Sequence, residues 1–194
     1  MQANAEDGAD RKYIMIQIPE TVSKKSEAYR QGYQNICQIG KDRIRRAGDL
    51  IKRETGAAID YGFRVFKVDE SNMKDVYYCA DEYSQGMLPM LESNVKEDRN
   101  DLDLLFGCVL EWGLSLSLPC RTEEISGCII HNYNDGDLIA CFQKNIPEEV
   151  FINIADRQPL CAVFCDSSFT NSPSKMNVQE LFKQLAPDTK VKVI

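Results

Sequence analysis

The chain has 194 residues and a mass of 22.0 kDa, with 30 acidic against 23 basic side chains and a formal charge of −7. Hydrophobic residues at 43% and charged residues at 27% are globular proportions, which exclude collagen-like, coiled-coil and low-complexity chains. No apolar run approaches the roughly 18 residues of a bilayer span, and Met1-Gln2-Ala3-Asn4-Ala5-Glu6-Asp7 lacks the basic and apolar regions of a signal peptide, so a cytoplasmic protein without membrane association is expected.

Tyr13-Ile14-Met15-Ile16-Gln17-Ile18 is a nearly continuous apolar run closed by Pro19 and Glu20, which predicts a strand buried on both faces, as in a parallel sheet. A helix is predicted over about 26–54, with Tyr29, Tyr33, Ile36, Cys37, Ile44, Ala47 and Ile51 on one stripe and Gly56 as its stop. Phe63-Arg64-Val65-Phe66-Lys67-Val68 alternates apolar and basic residues and predicts a second strand ending at Asp69. The first third therefore reads β–α–β, the unit of parallel sheets. One crossover cannot bury both faces of a sheet, so this unit is expected to lack neighbours.

Residues 70–96 are polar and punctuated by Gly86 and Pro89, which marks a linker or surface excursion. A second unit follows. Asp101 is placed to cap a helix carrying Leu102, Leu105, Phe106, Val109 and Leu110, with Gly113 at its end. Residues 125–132 and 137–142 flank Asn134-Asp135-Gly136, a hairpin signal because these three residue types accept positive φ. Pro147 with Glu148 and Glu149 predicts a helix start, and residues 160–165 a buried strand. Asn177 with Glu180 predicts a last helix with Val178, Leu181, Phe182 and Leu185 on its buried face, before a final strand over 190–194.

Chemistry-bearing motifs are sparse. The eight cysteines contain no C-x-x-C pair and His131 is the only histidine, so no zinc-ligand spacing exists and buried reduced thiols are expected. His131 lies in the hairpin without an evident acid partner, so Ser–His catalysis at Asp166-Ser167-Ser168 is not expected, and those residues read as a capped turn. Phe106 and Trp112 read as core rather than base-stacking residues. Charge is uneven: residues 1–96 hold 15 side chains of each sign, whereas residues 97–194 hold 8 basic and 15 acidic ones. Within the neutral half, Lys41, Arg43, Arg45, Arg46, Lys52 and Arg53 stand against only Asp42 and Asp49, a local +4. A solvated helix face and contact with DNA phosphates are both open for that run, with Arg43, Arg45 and Arg46 the candidates. Glu20, an acid closing a strand in a β–α–β unit, is placed where Rossmann-like folds hold a ribose.

Residues 4–20, Asn35-Ile36-Cys37-Gln38-Ile39-Gly40-Lys41-Asp42-Arg43-Ile44-Arg45-Arg46-Ala47-Gly48, Gly62-Phe63-Arg64-Val65-Phe66-Lys67, Leu138-Ile139-Ala140-Cys141-Phe142, Arg157-Gln158-Pro159-Leu160, Asp166-Ser167-Ser168-Phe169 and residues 175–185 run in an order that covers nearly the whole chain. That order resembles the C-terminal part of the modification (Mod) subunit of type III restriction–modification systems, a β-class DNA adenine-N6 methyltransferase. The family's D-P-P-Y and F-x-G-x-G motifs do not occur in these 194 residues. The resemblance implies an α/β chain: residues 1–80 a remnant of the S-adenosylmethionine-dependent methyltransferase domain, a partial Rossmann-like β–α–β sheet, then a linker over 81–96 and a small α/β assembly domain with a β-hairpin over 97–194. It implies Glu20 on the cofactor ribose and Asp69 near the cofactor adenine in the complete enzyme, with no cofactor bound to this piece alone. It also implies a second Mod copy, a restriction (Res) subunit and DNA as partners, and a catalytically incomplete chain. A free-standing, non-enzymatic protein-interaction or DNA-accessory module is the alternative, and the missing sheet neighbour beside residues 13–20 points to a homodimer.

Overall fold

The computed structural model describes residues 1–74 and 94–194, which form two compact units, Met1–Val68 and Asp69–Ile194. Among the described residues the protein is mixed α/β, with six α-helices and one five-stranded mixed sheet. No helix among them is long and apolar enough to cross a membrane. Most of the expected linker over 81–96, together with Cys79, Gly86 and Pro89, lies outside the described residues.

The first unit contains α1 (Gln2–Asp7), α2 (Glu27–Arg30) and α3 (Ile36–Thr55). Buried Asn4 ties α1 to the chain after it, its amide donating to the Arg11 carbonyl at 3.0 Å and accepting from the Arg11 N–H at 3.2 Å. The predicted 26–54 helix is two helices. Gly32 at φ 93 breaks it, a conformation closed to most L-residues. A new N-cap at Asn35 then accepts from the Gln38 N–H at 3.0 Å, and Gly56 is the stop, as predicted.

The two predicted strands of this unit do not form. Residues 13–18 carry no ladder, and Ile14 and Ile16 stand 92% and 95% exposed. Residues 63–68 likewise carry no ladder, with Val65, Phe66 and Val68 exposed. The partial β–α–β sheet is therefore corrected for this chain. A strand is held by its neighbours' N–H and C=O groups and by cover on both faces. The first unit supplies only the isolated bridge Thr21↔Asn35, with hydrogen bonds from Val22 N–H to Gln34 and from Ile36 N–H to Glu20, each 3.0 Å.

The second unit is built on a sheet ordered β1 (Cys120–Ile125), β2 (Cys128–Tyr133), β3 (Leu138–Cys141), β4 (Cys161–Phe164) and β5 (Lys190–Val193). The first three strands form an antiparallel meander, and β3, β4 and β5 run parallel. The parallel pairs are joined through α5 (Glu148–Asp156) and α6 (Ser172–Leu185), which pack on one face, while α4 (Asp101–Glu111) covers the other. Alternate strand residues serve the two layers. Ile130, Ile139, Cys141, Ala162 and Phe164 meet α5 and α6, and Tyr133, Leu138, Ala140, Val163 and Cys165 meet α4. Burial on both sides explains why these strands read as nearly unbroken apolar runs.

The predicted hairpin forms between β2 and β3, with Asn134, Asp135 and Gly136 all at positive φ. Strand β1 was not anticipated. It is joined to β2 by Ser126-Gly127, both at positive φ with Ile125 opposite Cys128, the two-residue turn that matches sheet twist. Its Arg121-Thr122-Glu123-Glu124 is polar because β1 is an edge strand, where charges discourage further pairing. Helix α4 is capped by Asn100 in a capping box with Asp103, one residue before the expected cap. Helix α6 starts at Ser172 rather than at Asn177, because Asn171 and Ser174 form their own capping box and Pro173 suits a first turn. Residues 69–74 belong to this unit. Met73 bridges Val95, and Asn72 donates to the Asp103 carbonyl at 2.8 Å beside Gly107.

Candidate nucleic-acid interface and strand-end acids

Glu20 lies at the end of the exposed 13–18 run. Its carbonyl accepts from the Ile36 N–H, which seats its backbone beside the N-terminus of α3. Its carboxylate makes no hydrogen bond or ion pair with the described residues. Asp69 belongs to the other unit, where its carboxylate pairs with Arg99 at 3.4 Å and accepts from the Glu70 N–H at 2.8 Å. Arg99 is nearly buried and also meets Asp98 at 2.9 Å, so Asp69 is part of a local ion-pair group.

The three basic candidates sit on α3 but in three environments. Arg46 is held by Asp42 at 2.7 Å, and its guanidinium reaches the Tyr33 hydroxyl at 3.4 Å. The Tyr33 hydroxyl donates to the same carboxylate. That hydrogen bond lowers the Asp42 pKa, with Arg46 lowering it further, and raises that of Tyr33, against the opposing pull of the Arg46 charge. Arg45 places its guanidinium carbon 5.6 Å above the centre of the Phe63 ring. Arg43 is exposed, and two residues at about 100° each turn it to the side of α3 away from Arg45.

Two depressions meet at Arg45. One, of about 400 Å³, is lined by Gln31, Gly32, Tyr33, Gln38, Lys41, Asp42, Arg45 and Arg46. The other, of about 370 Å³, is formed by Arg45, Gly48, Asp49, Tyr61, Gly62, Phe63 and Val65. Tyr33, Tyr61 and Phe63 were missed as site residues. The available signal was Lys41 and Arg45 one helical turn apart, and it was masked by assigning Phe63 to a sheet.

In the second unit His131 is buried. Its Nδ1 shares a 3.1 Å hydrogen bond with the Thr122 hydroxyl, and its Nε2 lies 3.6 Å from an Asp101 oxygen without a hydrogen bond. The hydroxyl of Ser168 accepts from the Cys165 N–H and caps a short 3-10 turn, while Asp166 binds Lys175 at 2.6 Å. The turn over 166–168 forms as expected, but its cap is Ser168 rather than Asp166 or Ser167. Phe106 and Trp112 pack against the α4 layer, Phe106 edge-on to Tyr133 at 6.0 Å, which agrees with a core role. Cys108, Cys128, Cys141 and Cys165 are buried. Burial pushes the thiols of Cys108, Cys141 and Cys165 up to about 11, so they are neutral near pH 7 and poor nucleophiles.

Neither a protein-family profile nor a curated protein sequence matches this chain.

Proposed function

We propose that this chain is the C-terminal part of a type III restriction–modification DNA adenine-N6 methyltransferase, supplying one strand-end acid of the S-adenosylmethionine pocket and an assembly domain. The ordered residue resemblance suggests the family. The observation that carries the reading is the state of residues 13–18: an apolar run outside regular secondary structure and exposed along its length, followed at Glu20 by a carboxylate with no partner among the described residues. An apolar run left bare in this way is what a central-sheet strand is expected to be when its neighbours are contributed by other residues.

Glu20 fits a ribose, because an exposed carboxylate without a partner can accept hydrogen bonds from two vicinal hydroxyls. Asp69 fits the adenine less well, since Arg99 already occupies its carboxylate. The cofactor would supply the methyl group. This chain's part is to orient the ribose through Glu20 and, with the acidic surface of the second unit, to engage a second Mod copy or a Res subunit. Methyl transfer depends on holding sulfonium and amine in line, and the D-P-P-Y tetrapeptide that grips the target adenine in the resembled family does not occur in these 194 residues.

The chain by itself is expected to transfer no methyl group to adenine-containing duplex DNA, measured with tritiated S-adenosylmethionine. Incorporation by the purified 194-residue protein overturns the reading. An in-phase upstream reading frame encoding F-x-G-x-G and D-P-P-Y supports it, whereas a promoter and start site at Met1 favour a free-standing module.

A further inference from the structure

The two depressions on the first unit differ in chemistry and share one residue. The larger is polar and basic, with Lys41, Arg45 and Arg46 on its wall. Its one carboxylate, Asp42, is already engaged by the Tyr33 hydroxyl and by Arg46. The smaller carries Tyr61 and Phe63 on its wall, with Gly48, Gly62 and the carboxylate of Asp49 beside them. Arg45 stands at the junction, over the Phe63 ring. Along α3, Lys41, Arg45 and Lys52 follow one line at spacings of four and seven residues, about 6 Å and about 10 Å apart along the axis. Asp49, one turn from both Arg45 and Lys52, is the carboxylate beside that line, and it borders the smaller depression.

We propose that this junction binds single-stranded nucleic acid, with backbone phosphates along Lys41, Arg45 and Lys52 and one unstacked base in the Tyr61–Phe63 depression. Cations alone would attract any polyanion. An aromatic recess one guanidinium away adds a surface that only an exposed base can use, because duplex bases are stacked on each other. Electrostatic contact and base stacking are the two components of sequence-tolerant single-strand binding, and Arg45 serves both, as a phosphate partner and as a cationic plane beside the ring. The site differs from the three arginines suggested by sequence. Arg45 stays, Arg46 is committed to Asp42, and Arg43 faces away. The inference stands on the residues of the first unit and does not rest on the methyltransferase reading.

The test is fluorescence anisotropy of the full 194-residue chain with a labelled oligothymidylate of about twelve nucleotides, a length within the usual single-strand site range. A duplex of equal length and unlabelled polyphosphate serve as competitors. Expected are binding that weakens steeply with salt, a preference for the single strand of at least about fivefold, and a loss of at least about fivefold in both Arg45→Ala and Phe63→Leu. Phe63→Trp should restore binding, and Lys25→Ala, an equal charge loss elsewhere on the unit, should leave it unchanged. Circular dichroism of each variant separates lost binding from lost α3. The proposal is overturned if the duplex binds as well as the single strand, or if polyphosphate displaces the oligonucleotide while Phe63→Leu has no effect. Absence of binding at low salt overturns it as well. None of these outcomes alters the upstream-frame test of the methyltransferase reading.

Discussion

The two units of the protein are made from the same kinds of residue and reach opposite results. Every buried apolar side chain among the described residues lies in the second unit, from Leu104 to Ala186. In the first unit only Asn4 and Gly48 are buried, although residues 13–18 are among the most apolar of the chain. Charge divides along the same line. Met1–Val68 carries 13 basic and 9 acidic residues, and Asp69–Ile194 carries 10 and 21. The acidic character of the whole protein therefore belongs to the well-packed unit, and the unit with little core is the basic one. Apolar content did not decide which unit built a core; neighbours able to cover both faces of a strand did.

The largest test of this contrast is a matched pair of truncations. Phe164 is fully buried and meets Phe151, Phe169 and Phe182 edge-on or tilted within about 6 Å, so Phe164→Ala should cost ~3–5 kcal/mol of the second unit's unfolding free energy in urea. Ile16→Ala removes a comparable side chain from an exposed site and should change the stability of this chain by less than ~0.5 kcal/mol. If Ile16→Ala proves as damaging as Phe164→Ala, residues 13–18 are buried in solution and the comparison fails.

A second, smaller effect sharpens the contrast through pH. The unfolded thiols titrate near 9, while Cys108, Cys141 and Cys165 hold their protons to about 11. A raised folded value means stability that is complete below pH 9 and is lost as pH climbs toward 11. Denaturation midpoints should fall over that window, and Cys165→Ala should make the fall shallower. A fall unchanged in the variant assigns it to other groups.

The smallest effect belongs to the first unit. The lowered pKa of Asp42 means a contribution present above its ordinary value of 3.8 and lost as acid carries the pH through the folded value. Helicity of α3 should drop as the pH falls below about 4, and less in Tyr33→Phe, which has lost the hydrogen bond already. An equal drop in both proteins removes Tyr33 as the cause.

Legibility followed the range of the interaction. The Asn134-Asp135-Gly136 turn, the Gly56 stop and part of the buried faces of α4 (Leu105, Val109) and α6 (Val178, Phe182) were readable because each depends on residues within one or two turns of chain, whereas Leu102, Leu110 and Leu185 are exposed and Leu104 and Cys108 are buried in their place. The start of α6 was misplaced by five residues because two capping patterns compete and Asn171 with Ser174 prevails. Strand β1 was not readable, since an edge strand with charged residues lacks the apolar alternation that betrays a strand. At the candidate site, the basic run on α3 was legible as charge, but its division among Arg43, Arg45 and Arg46 depended on Tyr33 and Phe63, ten or more residues away from Arg43 or Arg46.

By itself the sequence determined which segments are apolar, where the Gly56 stop and the 134–136 turn fall, and that positive charge concentrates on one helix. Those properties reside in neighbouring residues and their φ preferences. Only the tertiary structure decided that residues 128–141 and 161–164 become covered strands while residues 13–18 stay bare. It likewise decided that Arg45, not Arg43 or Arg46, joins the basic and aromatic depressions. A strand exists through partners distant in sequence, and a binding surface through side chains that folding brings together.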